Sequence, residues 1–425
     1  MSVLSHDIRI PRGVSDKLPG FAFRMKNVES TVLRVARLWG YQFIQPSPLE
    51  FEDVLVLGMG HELVGKAFRF DDWESTRLLA IPPDITPQMA RISANRLQGL
   101  RYPHRLSYSG VVLRHSESQS GHHREVFQAG AELIGKAGPD ADVEVLSMAV
   151  QIANECGLED LTINLSHVGI CQGALDCFHG PSDDLKCLKQ AIARKDKAAV
   201  LLICEKNESS PEIRDQLVGL TRLFGGNEVL EDAAQIQWNE TTCNAINELQ
   251  AVVQLLKESG VSTERICTFD LGETRGLGYH TGVSFECVSP LSTEVLFSGG
   301  RYDRLMQRYG VEMPATGFTC DVLALARVMD LQNGQNVPTI DLCVVTSSNC
   351  FQDEINQLRH KGISVIVERD GWTYESALSY SIEHNVRFLL MITDRGCKII
   401  RCVDGMDWEL DGLVTDSIAK IVINH

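Results

Sequence analysis

One run of the chain concentrates side chains that can do chemistry: Arg114-His-Ser-Glu-Ser-Gln-Ser-Gly-His-His-Arg-Glu-Val-Phe-Gln128-Ala-Gly-Ala-Glu132-Leu-Ile-Gly135. Glu132 stands out among them. A carboxylate buried against an apolar strand face is costly unless something pairs with it. A ligand N–H would supply that partner, and so would an arginine of the chain itself, such as Arg124. A second carboxylate, Asp84, lies in Ile81-Pro-Pro-Asp-Ile-Thr-Pro87. It is a natural partner for an ammonium group, because a charge-assisted bond outcompetes a neutral one, and Thr86 adds an acceptor beside it. The plain alternative for Asp84 is a helix N-cap, since it precedes the helical run Gln88–Leu97.

Two further runs, Arg275-Gly-Leu-Gly-Tyr279-His280-Thr-Gly282 and Ser298-Gly-Gly-Arg-Tyr-Asp303, carry an arginine among glycines and aromatic rings. Glycines let a backbone approach a ligand closely. A bare Gly-Gly turn is common, so it carries weight only in company. His122-His123 forms no metal site by this reading, because adjacent residues converge poorly and no carboxylate spacing supports them. The 13 cysteines include no Cys-x-x-Cys pair, which points to free thiols in a reducing compartment.

In order, these runs resemble the signature motifs of class II histidyl-tRNA synthetases. The resemblance covers most of residues 20–330 and, more weakly, 338–425. It implies that Asp84 and Thr86 hold the α-ammonium of histidine. Arg114, Gln128 and Glu132 belong to the same ligand set, with Glu132 facing an imidazole N–H. It places Arg275 beside the carboxylate and an α-phosphate, with Tyr279 and His280 near the ring. Two positions depart from the family's Arg-Gly-Leu-Asp-Tyr-Tyr: Gly278 stands for Asp and His280 for the second Tyr.

The decisive departure is at Pro314-Ala-Thr-Gly-Phe-Thr-Cys-Asp-Val-Leu-Ala-Leu325. Synthetases continue Gly-Phe-x-x-Gly-x-Glu-Arg-Leu, and that Arg clamps the nucleotide. Leu323 and Ala324 occupy the Glu and Arg positions here, and Ala cannot replace a guanidinium's bidentate contacts with phosphate. Arg327 lies three residues on, too far to reach the same phosphate. Ser116 and Glu117 replace a Glu and a basic residue near ATP, where an adenylating enzyme needs cations. A kept amino-acid pocket with lost ATP machinery resembles the regulatory subunits of ATP phosphoribosyltransferase, which are synthetase paralogues.

The elements that position these residues are legible in outline. Phe21–Trp39 has helical apolar spacing and stops at Gly40. Tyr41–Gln45, Leu78–Ile81, Leu106–Leu113, Val126–Leu133, Leu161–Leu165, Ile266–Asp270 and Val283–Val288 read as strands, and Asp142–Cys156 as a helix. Residues 183–237 read as a helical insertion. The expected organisation is an N-terminal arm (1–20), a class II synthetase-like α+β domain (21–330) with an antiparallel sheet flanked by helices, and a linker over residues 331–338. A C-terminal α/β domain (338–425) follows, resembling an anticodon-binding module. Its order of elements predicts a largely parallel sheet.

With 425 residues the chain has ample core for two or three domains. No apolar run is long enough for a membrane helix. The N-terminus does not read as a signal peptide, so the cytoplasm is expected. Net charge is −16, which on average disfavours a phosphate backbone. Residues 338–425 hold 8 Lys and Arg against 13 Asp and Glu, a net of −5. That domain is expected to contact protein rather than tRNA, with Trp372 and Tyr374 suited to an interface. The resemblance thus implies a non-catalytic subunit with no catalytic residues and no cofactor, and L-histidine as its effector. Its expected partners are a short-form catalytic ATP phosphoribosyltransferase and a second copy of itself. Ser47, between Pro46 and Pro48, falls where the family's dimer motif has proline. The alternatives are a working histidyl-tRNA synthetase and a synthetase-like domain of another amino-acid pathway.

Overall fold

The computed structural model describes residues 10–59, 65–115, 124–333, 340–346, 351–368, 371–393, 396–410 and 415–424. By contact density the chain divides into two compact units, 1–16 with 27–332 and 17–26 with 333–425.

The first unit is built on a nine-stranded sheet. Its strands are β1 (Gln42–Phe43), β5 (His104–Leu113), β6 (Glu125–Ile134), β7 (Thr162–His167), β8 (Phe224–Gly225), β9 (Cys267–Asp270), β10 (Val283–Val288), β11 (Phe297–Arg301) and β12 (Ala315–Asp321). Their order across the sheet is β1-β5-β6-β12-β11-β10-β7-β9-β8. All neighbours are antiparallel except β1 with β5 and β7 with β9. A separate three-stranded sheet comprises β2 (Glu50–Phe51), β3 (Phe68–Asp71) and β4 (Leu78–Ile81), in the order β2-β4-β3.

Val28, Val32, Val35 and Ala36 form the buried stripe of the helix Pro19–Leu38, as their spacing predicts. Gly40 follows with φ +84°, a left-handed conformation that favours glycine. The helix Pro139–Glu155 packs on β6 and β12. The helix Thr86–Arg96 packs on β6 and buries Met89, Ala90 and Ala94 with Leu106, Tyr108 and Tyr302. The insertion holds the helices Ser182–Ala193, Lys197–Lys206, Pro211–Gly219 and Glu228–Ala233. It is not purely helical, because its two-residue β8 extends the sheet by pairing with β9. Of the expected linker, residues 331–333 continue the helix Val322–Asn333, and residues 334–338 lie outside the described residues.

The second unit carries a five-stranded sheet of β13 (Ile340–Thr346), β14 (Val365–Glu368), β15 (Val386–Thr393), β16 (Gly396–Arg401) and β17 (Asp407–Leu410), in the order β14-β13-β15-β16-β17. β14, β13 and β15 are parallel, whereas β16 and β17 are antiparallel. The expectation of a largely parallel sheet therefore holds for only half its pairings. The difference comes from β17, whose short polar sequence Asp-Trp-Glu-Leu gives little apolar signal. Thr373 caps the helix Tyr374–Glu383 through a reciprocal bond with Ser376.

Candidate ligand-binding site

The central strands of the nine-stranded sheet floor a cavity of about 260 Å³. The register explains how it forms. Glu132 on β6 lies opposite Gly317 on β12, and Gly317 pairs in turn with Gly300 on β11. A Cβ at Gly317 would lie 1.7 Å from Glu132 Oε2 and 2.7 Å from the Ala131 carbonyl. The glycine is what makes room for the carboxylate.

Glu132 is 1% exposed. The Tyr302 hydroxyl donates to its Oε2, while Oε1 is buried without a conventional hydrogen bond. Burial pushes its carboxyl up to about 8, opposed by the Tyr302 and Thr86 hydroxyls and reinforced by the charge of Asp84. Arg124 lies just before β6, where its backbone N–H donates to the Gly13 carbonyl, and among the described residues no ion pair joins it to Glu132. Tyr302 stacks on Tyr279 at 5.8 Å between ring centroids. Tyr108 Oη and Thr319 Oγ1 are also buried without a conventional partner.

Asp84 and Thr86 line the same cavity. Asp84 Oδ1 reaches the Thr86 N–H only at 3.4 Å, so the carboxylate is weakly engaged as a cap. His280 also lines it, and its Nδ1 donates to the Arg301 carbonyl at 3.3 Å. Burial lowers this imidazole to about 4, so it is neutral at pH 7 with Nε2 as an acceptor. Gly278, which replaces a motif Asp, adopts φ +96°; any side chain there would be strained.

Arg275 lines the cavity in company. Its Nε and Nη2 donate to Glu273 Oε2 at 3.0 and 2.6 Å, and Nη1 lies 3.0 Å from Glu286 Oε2. Two expected site residues lie behind the wall rather than on it. Gln128 Oε1 accepts from the Ile85 N–H at 3.1 Å, and Arg114 Nε donates to the Pro83 carbonyl at 2.8 Å. Both hold the Pro83–Thr86 loop that presents Asp84. Arg301, of the Gly-Gly-Arg-Tyr-Asp run, is buried in a bidentate pair with Asp142 at 3.2 and 3.0 Å.

Glu273, Glu286 and Tyr302 were not among the expected ligand contacts. A signal existed for Glu286: Ser284 and Glu286 alternate with buried Val283, Phe285 and Cys287, and both line the cavity. Leu323 and Ala324 are 2% and 0% exposed in the helix Val322–Asn333. Arg327 is held by Glu294 at 2.8 and 2.7 Å. Ser116, Glu117, His122 and His123 lie outside the described residues. Among the described residues no three metal-ligating side chains cluster, no helix is long and apolar enough to cross a membrane, and twelve cysteines are free thiols. Trp372 packs partly buried on its own domain, edge-on to Tyr380, so Tyr374 is the more exposed of the two expected interface aromatics.

A family model described as histidyl-tRNA synthetase matches residues 13–325. An ATP phosphoribosyltransferase regulatory subunit from Geobacter sulfurreducens is 40% identical, covering 93% of this chain and 92% of its own. One from Syntrophotalea carbinolica is 38% identical, with 94% of each chain covered. Among solved structures, an ATP phosphoribosyltransferase regulatory subunit/histidyl-tRNA synthetase from Bacillus halodurans C superposes with TM-score 0.76 at 26% identity, over 91% of this chain and 99% of that one. A histidyl-tRNA synthetase from Nostoc sp. PCC 7120 superposes with TM-score 0.82 at 20% identity, over 99% and 100%; at that identity it speaks for the fold alone.

Proposed function

We propose a ligand-reporting role for this chain, which belongs to the histidyl-tRNA synthetase family and, within it, to the ATP phosphoribosyltransferase regulatory subunits. It is a non-catalytic subunit whose work is done through a catalytic transferase chain. That catalytic chain is of the short form, without a regulatory domain of its own. The complex joins ATP to phosphoribosyl pyrophosphate in the first step of histidine synthesis, in the cytoplasm. This chain activates the reaction and transmits feedback by L-histidine.

One observation carries the histidine reading. The cavity is lined by two acidic side chains that the chain itself leaves incompletely partnered: Asp84, whose Oδ1 reaches only the Thr86 N–H at 3.4 Å, and Glu132, whose Oε1 has no hydrogen bond. The first suits an α-ammonium and the second a ring N–H. The positions that would clamp a nucleotide are apolar and buried at Leu323 and Ala324. A pocket that binds an amino acid without activating it has only its binding energy to contribute. Such a ligand shifts an assembly by its differential affinity for two states, and a tenfold preference is worth about 1.4 kcal/mol. The assembly includes a second copy of this chain and no tRNA, in keeping with the net −16 charge.

The test is to mix the purified chain with a short-form transferase. The two co-elute, transferase activity rises on mixing, and it falls when histidine is added. Separate elution at micromolar concentration with an indifferent transferase overturns the assignment. Tight, salt-sensitive tRNA binding in the same preparation would favour a working synthetase instead.

A further inference from the structure

Each nitrogen of the Arg275 guanidinium already has a carboxylate. Nε and Nη2 donate to Glu273, and Nη1 pairs with Glu286. Glu273 is itself pinned, because its Oε1 accepts from the Arg275 backbone N–H at 2.6 Å and its side chain is only 14% exposed. It cannot swing away without stranding that N–H. Among the described residues, the only guanidinium on the wall of the cavity is therefore flanked by Glu273 and Glu286, and His280 adds no charge because burial keeps it neutral. An arginine without such partners is a bidentate receptor for phosphate. Flanked by two carboxylates, it is compensated, and an approaching phosphate meets like charges within a few ångströms.

We infer that Glu273, seconded by Glu286, determines the specificity of this pocket: by occupying Arg275 it admits an ammonium-bearing imidazole ligand and excludes one that carries a phosphate at its carboxylate end. The inference rests on the reading of the cavity as a histidine site. It makes Glu273 a specificity residue that acts through Arg275.

The experiment is calorimetric titration of the full chain with L-histidine and with L-histidinol phosphate, which has a phosphate ester where histidine has its carboxylate. The wild-type chain binds histidine at least tenfold more tightly than the phosphate ester. Glu273→Gln keeps the shape and removes the charge. It raises affinity for the ester about tenfold more than it raises that for histidine, whose carboxylate carries less charge than the phosphate. Glu273→Asp retains the wild-type discrimination. In Glu273→Gln/Arg275→Ala the gain for the ester disappears, which separates an effect through Arg275 from a general loosening of the loop. Should Glu273→Gln fail to melt cooperatively, Glu286→Gln, which removes a single contact, shows the same change at about threefold. Equal binding of both ligands by the wild type overturns the inference. So does an unchanged ratio in a folded Glu273→Gln or Glu286→Gln chain. If the wild type binds no histidine, alone or with its transferase partner, the histidine reading falls first and this inference with it.

Discussion

Two groups of side chains on one cavity wall have opposite characters. Glu132, with Tyr302 beside it, is fully buried, held by glycine at 317, and leaves acceptor capacity unused. Arg275, with Glu273 and Glu286, is 65% exposed and has all its guanidinium nitrogens engaged. On the proposed reading the first group takes a partner from outside, because a buried polar atom without one carries a desolvation cost that a ligand can relieve. The second has no such need. On the same reading, the arginine is kept while neighbouring carboxylates take up its donors. At the positions where the family resemblance expects a nucleotide clamp, Leu323 and Ala324 are core residues, and Arg327 nearby is tied to Glu294.

The largest expected effect would break this contrast outright. Histidine-dependent ATP–pyrophosphate exchange by the purified chain is expected at least about a thousandfold below the ~1 per second of a modest working enzyme. Turnover near that rate would mean that the compensated arginine and apolar helix still support adenylation, and the regulatory reading would fall.

The next sharpens the buried half. Glu132→Gln is expected to weaken histidine binding by roughly 1.5–3 kcal/mol, the scale of a hydrogen bond to a charged group, as read by calorimetry on the pair above about pH 8, where the carboxyl is ionised. Unchanged affinity would leave Glu132 a structural residue. The same substitution has a pH signature. The folded carboxyl stands near 8 against an ordinary 4.5 because burial disfavours its charged form. The native state therefore holds the proton more tightly than the unfolded chain. Its contribution to stability is full below about 4.5 and is lost as pH rises towards 8. Across that window the wild-type melting temperature falls relative to Glu132→Gln, which has nothing to ionise there. Parallel melting curves for the two proteins from pH 5 to 8 would refute the raised value.

Gly317→Ala comes third. The added methyl must displace Glu132 or push against the Ala131 carbonyl, and overpacking of this kind costs roughly 1–3 kcal/mol. Chemical denaturation should show that loss together with weakened histidine binding. A stable variant with native affinity would mean that the strand pair gives way easily.

How much of this was legible in the sequence differs between the two groups for a physical reason. Strand positions came through because apolar alternation is local: Leu106–Leu113, Val126–Leu133 and Val283–Val288 fall inside or match β5, β6 and β10. Glu132 was legible as a carboxylate in an apolar stretch. Its dependence on Gly317 was not, because register between strands far apart in sequence is set by the folded sheet. The pairing of Arg275 with Glu286 was hidden for the same reason. Glu273, two residues from Arg275, was in plain view but has no periodicity to mark it. Short edge strands such as β8 and β17 escaped because two to four residues carry too little pattern.

Arg114 offers the smallest effect and the finest test of the division. Its motif position implies a ligand contact, yet its Nε donates to the Pro83 carbonyl, and it does not line the cavity with Asp84, Glu132 and Arg275. If its work is to hold the loop that carries Asp84, Arg114→Ala removes one hydrogen bond and should lower stability by about 0.5–1.5 kcal/mol. Histidine affinity should change by less than threefold, because Gln128 still anchors the same loop through the Ile85 N–H. The double variant Arg114→Ala/Gln128→Ala, with both anchors gone, should then lose affinity by more than the two single changes predict together, since both act on one loop. A loss of tenfold or more in Arg114→Ala alone would place the guanidinium on the ligand. The cavity would then have a free cation after all, and the contrast between its two halves would have to be redrawn.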